Sequence, residues 1–225
     1  MSPYGLVSRG ACTRPLPGQR AGERGVGMDV FEAMETCRAI RYLRPDPVPD
    51  EMVEKLIWAA TRAPSPGNSQ GWEFVVVRDR ALLARLAGTL GERMRAGTAA
   101  LAEGLEPSQA RILKGAVHLT ESLAEVPLLV VVCARNIYPP QAPQEIFVWS
   151  CAYPAAQNLV LAARALGLGS TFATWQTLAE AEFREILGIP DDVTICATIP
   201  VGYPDRPFGP VARKPVAEVM HLDGW

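Results

Sequence analysis

The sequence predicts a single soluble domain of the α+β or α/β class, a sheet whose strands are separated by helices. Three observations carry that expectation. Four short runs, Trp72 to Val77, Pro127 to Cys133, Ser170 to Trp175 and Thr194 to Val201, are rich in β-branched and apolar residues. Between them lie stretches whose apolar positions repeat at helical spacing. Across 225 residues, 48% hydrophobic and 20% charged content supplies the apolar surface of a folded core, and no apolar stretch approaches the about 20 residues of a membrane span.

Taken in order, residues 1–27 hold six glycines, three prolines and four arginines against one glutamate. They show no apolar periodicity and no continuous hydrophobic region of a secretory signal, so they read as a disordered leader, with Met28 an alternative start and 29–225 the folded unit. Helix 29–37 carries Val30, Met34 and Cys37 on one stripe. Helix 50–62 opens after Pro47-Val-Pro49 with Asp50 as its N-cap, and turns Met52, Val53, Leu56, Ile57 and Ala60 inward. The turn-rich loop Ala63 to Gly71 leads into the first strand, and helix 79–90 follows it. Glycine-rich residues 91–107 read as a mobile excursion before helix 108–124 and the second strand. Residues 144–166 are apolar on nearly every face, a helix to be buried all round, by a partner subunit if one chain cannot do it, with Pro154 kinking it near one end. Gly167-Leu-Gly169 and the third strand lead to helix 178–187, which carries the capping-box signature Thr177-x-x-Glu180. After the fourth strand, Gly202 to Trp225 reads as an extended tail wrapping over a surface.

Charge and composition narrow the chemistry. Twenty-two basic against 24 acidic residues give a net charge of −2, without the basic field that nucleic acid or anionic lipid requires. Two histidines, His118 and His221, leave little for a metal centre or a Ser-His triad. The five cysteines are scattered without a C-x-x-C pair, which suits reduced thiols in a cytoplasmic setting. Gly167-Leu-Gly169 lacks the third glycine of a dinucleotide fingerprint and precedes a strand, against a Rossmann site. No Walker A or nucleophile-elbow sequence occurs, and Asp191-Asp192 reads as a solvated turn.

Three polar clusters remain. Arg38-Ala-Ile-Arg41, at the end of the first helix, puts two guanidiniums about one helical turn apart, able to converge on a phosphate or an electron-rich ring edge; the alternative is a pair of solvated cations at a helix C-terminus. Pro64 to Gln70 exposes backbone, hydroxyl and amide groups, or is a plain turn. Arg213-Lys214-Pro215 is a basic site on the tail, or merely solubilising.

Together, Cys37-Arg-Ala-Ile-Arg41, Ala63-Pro-Ser-x-x-Asn68-x-Gln-x-Trp72, Gly167-Leu-Gly-Ser-Thr-Phe172 and Gly202-Tyr-Pro204 with Arg213-Lys-Pro215 resemble the FMN-dependent nitroreductase family over residues 29–225. The resemblance implies an α+β fold, a mixed sheet flanked by helices, and an obligate homodimer with an extended C-terminal tail and FMN between subunits. It implies an NAD(P)H oxidoreductase that reduces nitroaromatic or quinone-like acceptors by ping-pong hydride transfer through flavin N5. Alternatives are a specialised biosynthetic flavin oxidase or dehydrogenase, a reductive dehalogenase, or a flavin-binding module without turnover. By the same resemblance Arg38, Ala39 and Arg41 occupy the flavin-binding segment, with Arg41 at the pyrimidine edge. Arg213 grips the phosphate, and Lys214 is a substitute cation. Pro64, Ser65 and Asn68 reach the flavin from the other subunit, and Phe172, Ala173, Thr174 and Trp175 lie along the ring. Cys37 and Ala39 stand where the family often has arginine and serine, which removes a cation and a hydroxyl. Tyr138, Phe147 and Trp149 are candidates to roof a planar substrate or to pack an interface. FMN carries its own redox chemistry, so few histidines are no obstacle.

Overall fold

Four strands, β1 (Trp72–Val77), β2 (Leu128–Arg135), β3 (Gly169–Ser170) and β4 (Val193–Gly202), form one sheet in the order β1-β2-β4-β3. Among the described residues six α-helices surround it: α1 (Val30–Thr36), α2 (Asp50–Ala60), α3 (Arg80–Ala99), α4 (Pro107–Glu121), α5 (Glu145–Ala165) and α6 (Gln176–Leu187). The structure, a computed structural model, describes residues 28–99 and 104–225; the expected leader lies outside the described residues. All three ladders are antiparallel, and the mixed character expected of the sheet reduces to one parallel bridge, Ala39 to Ser170.

Strand β2 is buried at every position from Leu128 to Ala134, which is why its sequence does not alternate. Leu128, Val130, Val132 and Ala134 face one core with α2 and α5, while Leu129, Val131 and Cys133 face a second with α3, α4 and α6. Between Val132 and Cys133 the register slips: Val132 opposes Ala197, but Cys133 opposes Ile195. The bulge leaves Cys196 unpaired, so Ala197 and Cys196 both join the first core, and Ile195 and Val193 turn to the second.

Helix α5 is a single element through Pro154, which sits midway rather than near an end. Proline removes one hydrogen bond there, and packing compensates: Ala152, Ala155, Ala156, Leu159 and Ala163 are fully buried, their small side chains admitting the sheet at close range. Against the sequence expectation, this 21-residue helix is long and apolar enough to cross a membrane by length and composition; here it serves as a core helix. Its burial is one-sided, for Ile146 and Tyr153 remain exposed.

Elsewhere local signals gave way to tertiary contacts. The stretch after residue 90 continues α3 to Ala99, because Leu83, Leu86, Leu90 and Met94 hold helical spacing against the second core. Arg95 pairs with Glu121 at 2.6 Å, and Arg93 binds Glu182 and the Leu178 carbonyl, beside Ala179, where α6 departs from helical geometry. Pro49, not Asp50, caps α2; Asp50 begins the helix and pairs with Arg78. Thr177 donates to the Thr174 carbonyl instead of building a capping box, and the box that forms joins Glu106 and Gln109 at the start of α4. Of the expected third strand, Ser170 to Trp175, only Ser170 pairs in a ladder, together with Gly169 before it, and a further bridge forms at Ala173.

The tail runs beside the segment after α1. Asp205 N–H donates to the Tyr42 carbonyl at 3.0 Å, Arg44 N–H to Tyr203 at 2.8 Å, and Val211 N–H to Glu35 at 2.9 Å.

Two outcomes follow from this packing. A Cβ on Gly169 would stand 2.8 Å from Ile40 Cγ2 and 3.0 Å from Leu43 Cδ2. Gly169→Ala should therefore cost about 1–3 kcal/mol in denaturant unfolding; an unchanged midpoint would contradict the close approach. Burial pushes the Cys133 and Cys196 thiols up to about 12. Above the ordinary thiol range, near 9, the unfolded chain releases protons that the native chain keeps, so stability falls with rising pH. Each thiol contributes a slope of up to about 1.4 kcal/mol per pH unit. Unfolding measured between pH 8 and 10 should show this loss, shallower in Cys196→Ala, and equal slopes would refute it.

Candidate functional site

Helix α1 stops at Thr36 and the chain becomes extended, so Arg38 and Arg41 lie on a strand-like segment rather than one helical turn apart. The β3 edge holds this segment: Ile40 N–H donates to the Ser170 carbonyl at 2.9 Å, and Thr171 Oγ1 donates to the Ile40 carbonyl at 2.8 Å. Alternation then sends Ile40 into the core and leaves Arg41 half-buried on the outer side.

Arg38, Ala39 and Arg41 line a cavity of about 340 Å³ together with Arg111 of α4 and Arg206 of the tail. Four arginines thus line one space, Arg41 half-buried and Arg38, Arg111 and Arg206 exposed. Among the described residues none of the four has a carboxylate within 4.0 Å, although eight other ion pairs form. Desolvation, with Arg38 adding like charge, holds the Arg41 guanidinium below its ordinary pKa range. Such a cluster favours a bound anion. Gly115 lets the Arg41 stem lie along α4, a Cβ there coming within 3.1 Å of Arg41 Cδ. Arg206 lies over the Tyr42 ring at 3.9 Å, and Tyr42 stacks on His118 with centroids 4.4 Å apart.

Arg111 and Arg206 escaped the sequence reading. Arg206 stands two residues beyond Gly202-Tyr-Pro204, and Arg111 is four residues before Gly115, hence on the same helix face, but only the fold shows which face meets Arg41.

The other expected residues lie apart from this cavity. Ser65 Oγ accepts the Gln70 N–H at 3.0 Å and so closes its own loop, while Pro64 and Asn68 are exposed, Asn68 in the left-handed region at φ 53°. Phe172 and Thr174 are exposed. Trp175 is buried: its ring packs in the second core and its backbone N–H donates to Thr198 Oγ1 at 3.3 Å. Ala173 exchanges backbone hydrogen bonds with Thr198. Arg213 and Lys214 are exposed on the tail, with Arg213 bonding the adjacent Ala212 carbonyl. Cys37 turns toward α5, its thiol 3.7 Å from the Val160 carbonyl and pushed up by burial. Beside it Arg164 donates to Thr36 Oγ1 and lies over Phe208 at 4.0 Å, pinning the tail to α1 and α5. Trp149, Tyr153 and Phe172 form an aromatic row, and Tyr138 meets Phe147 edge-on.

Comparison with known proteins shows the family. The chain matches the model of the nitroreductase family over residues 35–203. It is 31% identical over 203 residues to an Archaeoglobus fulgidus protein provisionally named NADH dehydrogenase/NAD(P)H nitroreductase, covering 88% of this chain and 99% of that one. An NADH dehydrogenase of Thermus thermophilus is 30% identical over 207 residues, covering 86% and 95%. A crystal structure of oxidised iodotyrosine deiodinase bound to FMN and 3-iodo-L-tyrosine superposes with a TM-score of 0.70 at 22% identity, covering 88% of this chain and 100% of that one, a likeness of fold alone. The chain therefore belongs to the nitroreductase family.

Proposed function

We propose that this chain is an FMN-dependent oxidoreductase that takes reducing equivalents from NAD(P)H and passes them to a small planar acceptor, nitroaromatic or quinone-like. The observation that carries the proposal is the convergence of Arg38, Arg41, Arg111 and Arg206 on one cavity without a carboxylate among the described residues. That donor set fits FMN, whose phosphate is a dianion and whose pyrimidine edge presents carbonyl acceptors. Bound FMN supplies reversible hydride chemistry at its N5.

The chain's own residues then bind, orient and exclude water. Arg38, Arg111 and Arg206 are the candidates for the phosphate, with Arg213 and Lys214, which lie apart from this cavity in their own chain, reaching it from the tail of a second copy. Arg41 is the candidate for the pyrimidine edge, where a half-desolvated cation acts more strongly than a solvated one. Ala39 offers no side-chain hydrogen bond. Phe172 and Thr174 are left to face the ring.

A homodimer is part of the proposal. Val30, Phe31 and Met34 on α1, Ile146 and Tyr153 on α5, and Val216, Val219, Met220 and Leu222 on the tail are exposed apolar groups that a second copy would cover. The Pro64–Asn68 loop, which lines no part of the arginine cavity in its own chain, would reach the site of the other. Free Cys37, Cys133, Cys151 and Cys196 suit the cytoplasmic setting we propose.

The purified protein should be yellow, or become so on reconstitution with FMN; a chain that stays colourless defeats the proposal. Arg213→Ala and Arg206→Ala should each weaken FMN at least about tenfold while leaving riboflavin, which lacks the phosphate, within about twofold. Equal losses for both flavins would remove these residues from the phosphate. Arg41→Ala should lower the two-electron reduction potential of the bound flavin by about 30 mV, because a cation beside the ring favours the more negative reduced form. An unaltered potential would count against that role.

A further inference from the structure

Tyr42 lines not only the arginine cavity but a second, larger one of about 670 Å³ between the C-terminal half of α3 and α4. Helix α4 partitions the two: Arg111, Ile112 and Gly115 face the arginine cavity, while Ala110, Leu113, Lys114 and Val117 face the larger. The larger cavity is walled by Leu105, Leu113 and Val117 with the edges of the Tyr42–His118 stack. Its volume lies in the range of small-molecule sites, and its lining suits an aromatic body.

Charge settles which aromatic ligand it suits. Arg95 and Glu121 also line the cavity but pair with each other at 2.6 Å, which cancels their charges. Lys114 has no carboxylate within 4.0 Å among the described residues. Lys114, exposed at the cavity's edge and unpaired among the described residues, stands beside the apolar Leu105, Leu113 and Val117 and complements one negative charge.

We propose that the α3–α4 cavity binds a small aromatic monoanion, with Lys114 as its counter-charge. As a compartment for the acceptor beside the cofactor this would rest on the oxidoreductase reading above, but the binding itself does not.

Isothermal titration of the FMN-loaded full chain with 8-anilinonaphthalene-1-sulfonate, an aromatic monoanion, and with neutral N-phenyl-1-naphthylamine tests this directly. The sulfonate should bind at one site per chain. Lys114→Gln should weaken it about tenfold and change the neutral probe by no more than about twofold. Ala110→Trp, on an exposed turn of α4, should abolish both. Failure of the sulfonate to bind, binding that survives Ala110→Trp in a chain with native thermal unfolding, or equal loss of both probes in Lys114→Gln would overturn the proposal. Flavin absorbance is recorded in the same samples: a chain that binds the sulfonate but never FMN defeats the cofactor reading and leaves this site standing.

Discussion

The pairing of the Ala39–Arg44 segment with the β3–β4 edge is the contact on which the rest of the structure depends. It is made by backbone groups at Ile40, Tyr42 and Arg44, which bond Ser170, Asp205 and Tyr203. Two glycines permit it. A Cβ at Gly169 would strike Ile40, and one at Gly202 would come within 2.9 Å of Pro127 Cγ and 3.4 Å of Leu43 Cβ. With the backbone seated this closely, Ile40 must enter the core, and alternation along an extended chain turns Arg41 outward toward α4. The same hydrogen bonds fix the start of the tail, which is how Arg206 comes to lie over Tyr42.

That contact also explains why chemistry was easier to read than geometry. The paired arginines were visible in Arg38-Ala-Ile-Arg41, but their setting was not, since the partners that straighten the segment lie at Ser170 and Thr171, far along the chain. Arg111 and Arg206 were illegible for the same reason: nothing local to either residue says that α4 and the tail meet at Arg41. Trp175, expected along the flavin ring by resemblance, packs its large ring into the second core, as apolar burial at the end of a strand favours.

The sheet and its helices were legible wherever apolar content had to satisfy two faces at once. Strand β2 could be recognised by its lack of polar positions, because it is packed on both faces, whereas α5, read as apolar on nearly every face, is buried on one side only. Glycine misled the reading of α3. Gly91, Gly97 and Gly104 resemble a loop signal, yet the arginine pairs to α4 and α6 hold the extra turns. The bulge at Cys196 is beyond pattern reading altogether, since apolar residues occupy both faces of β4 and no alternation marks the switch from one core to the other.

Four guanidiniums around one space oppose folding through mutual repulsion, and Arg41 loses hydration as well. The fold limits this cost by giving the cations uncharged neighbours: Arg206 stacks on Tyr42, and the Arg41 stem rests against α4 at Gly115. Neither contact neutralises charge. Solvent screens the exposed Arg38, Arg111 and Arg206, and an anion that enters the cavity relieves repulsion further, so ligand binding and fold stability are coupled at this place. An anion that binds the native chain alone adds about 2.7 kcal/mol of stability at a free concentration of a hundred times its Kd. Because the segment carrying Arg38 and Arg41 is also the one that seats against β3, that gain acts on the contact from which the site is built.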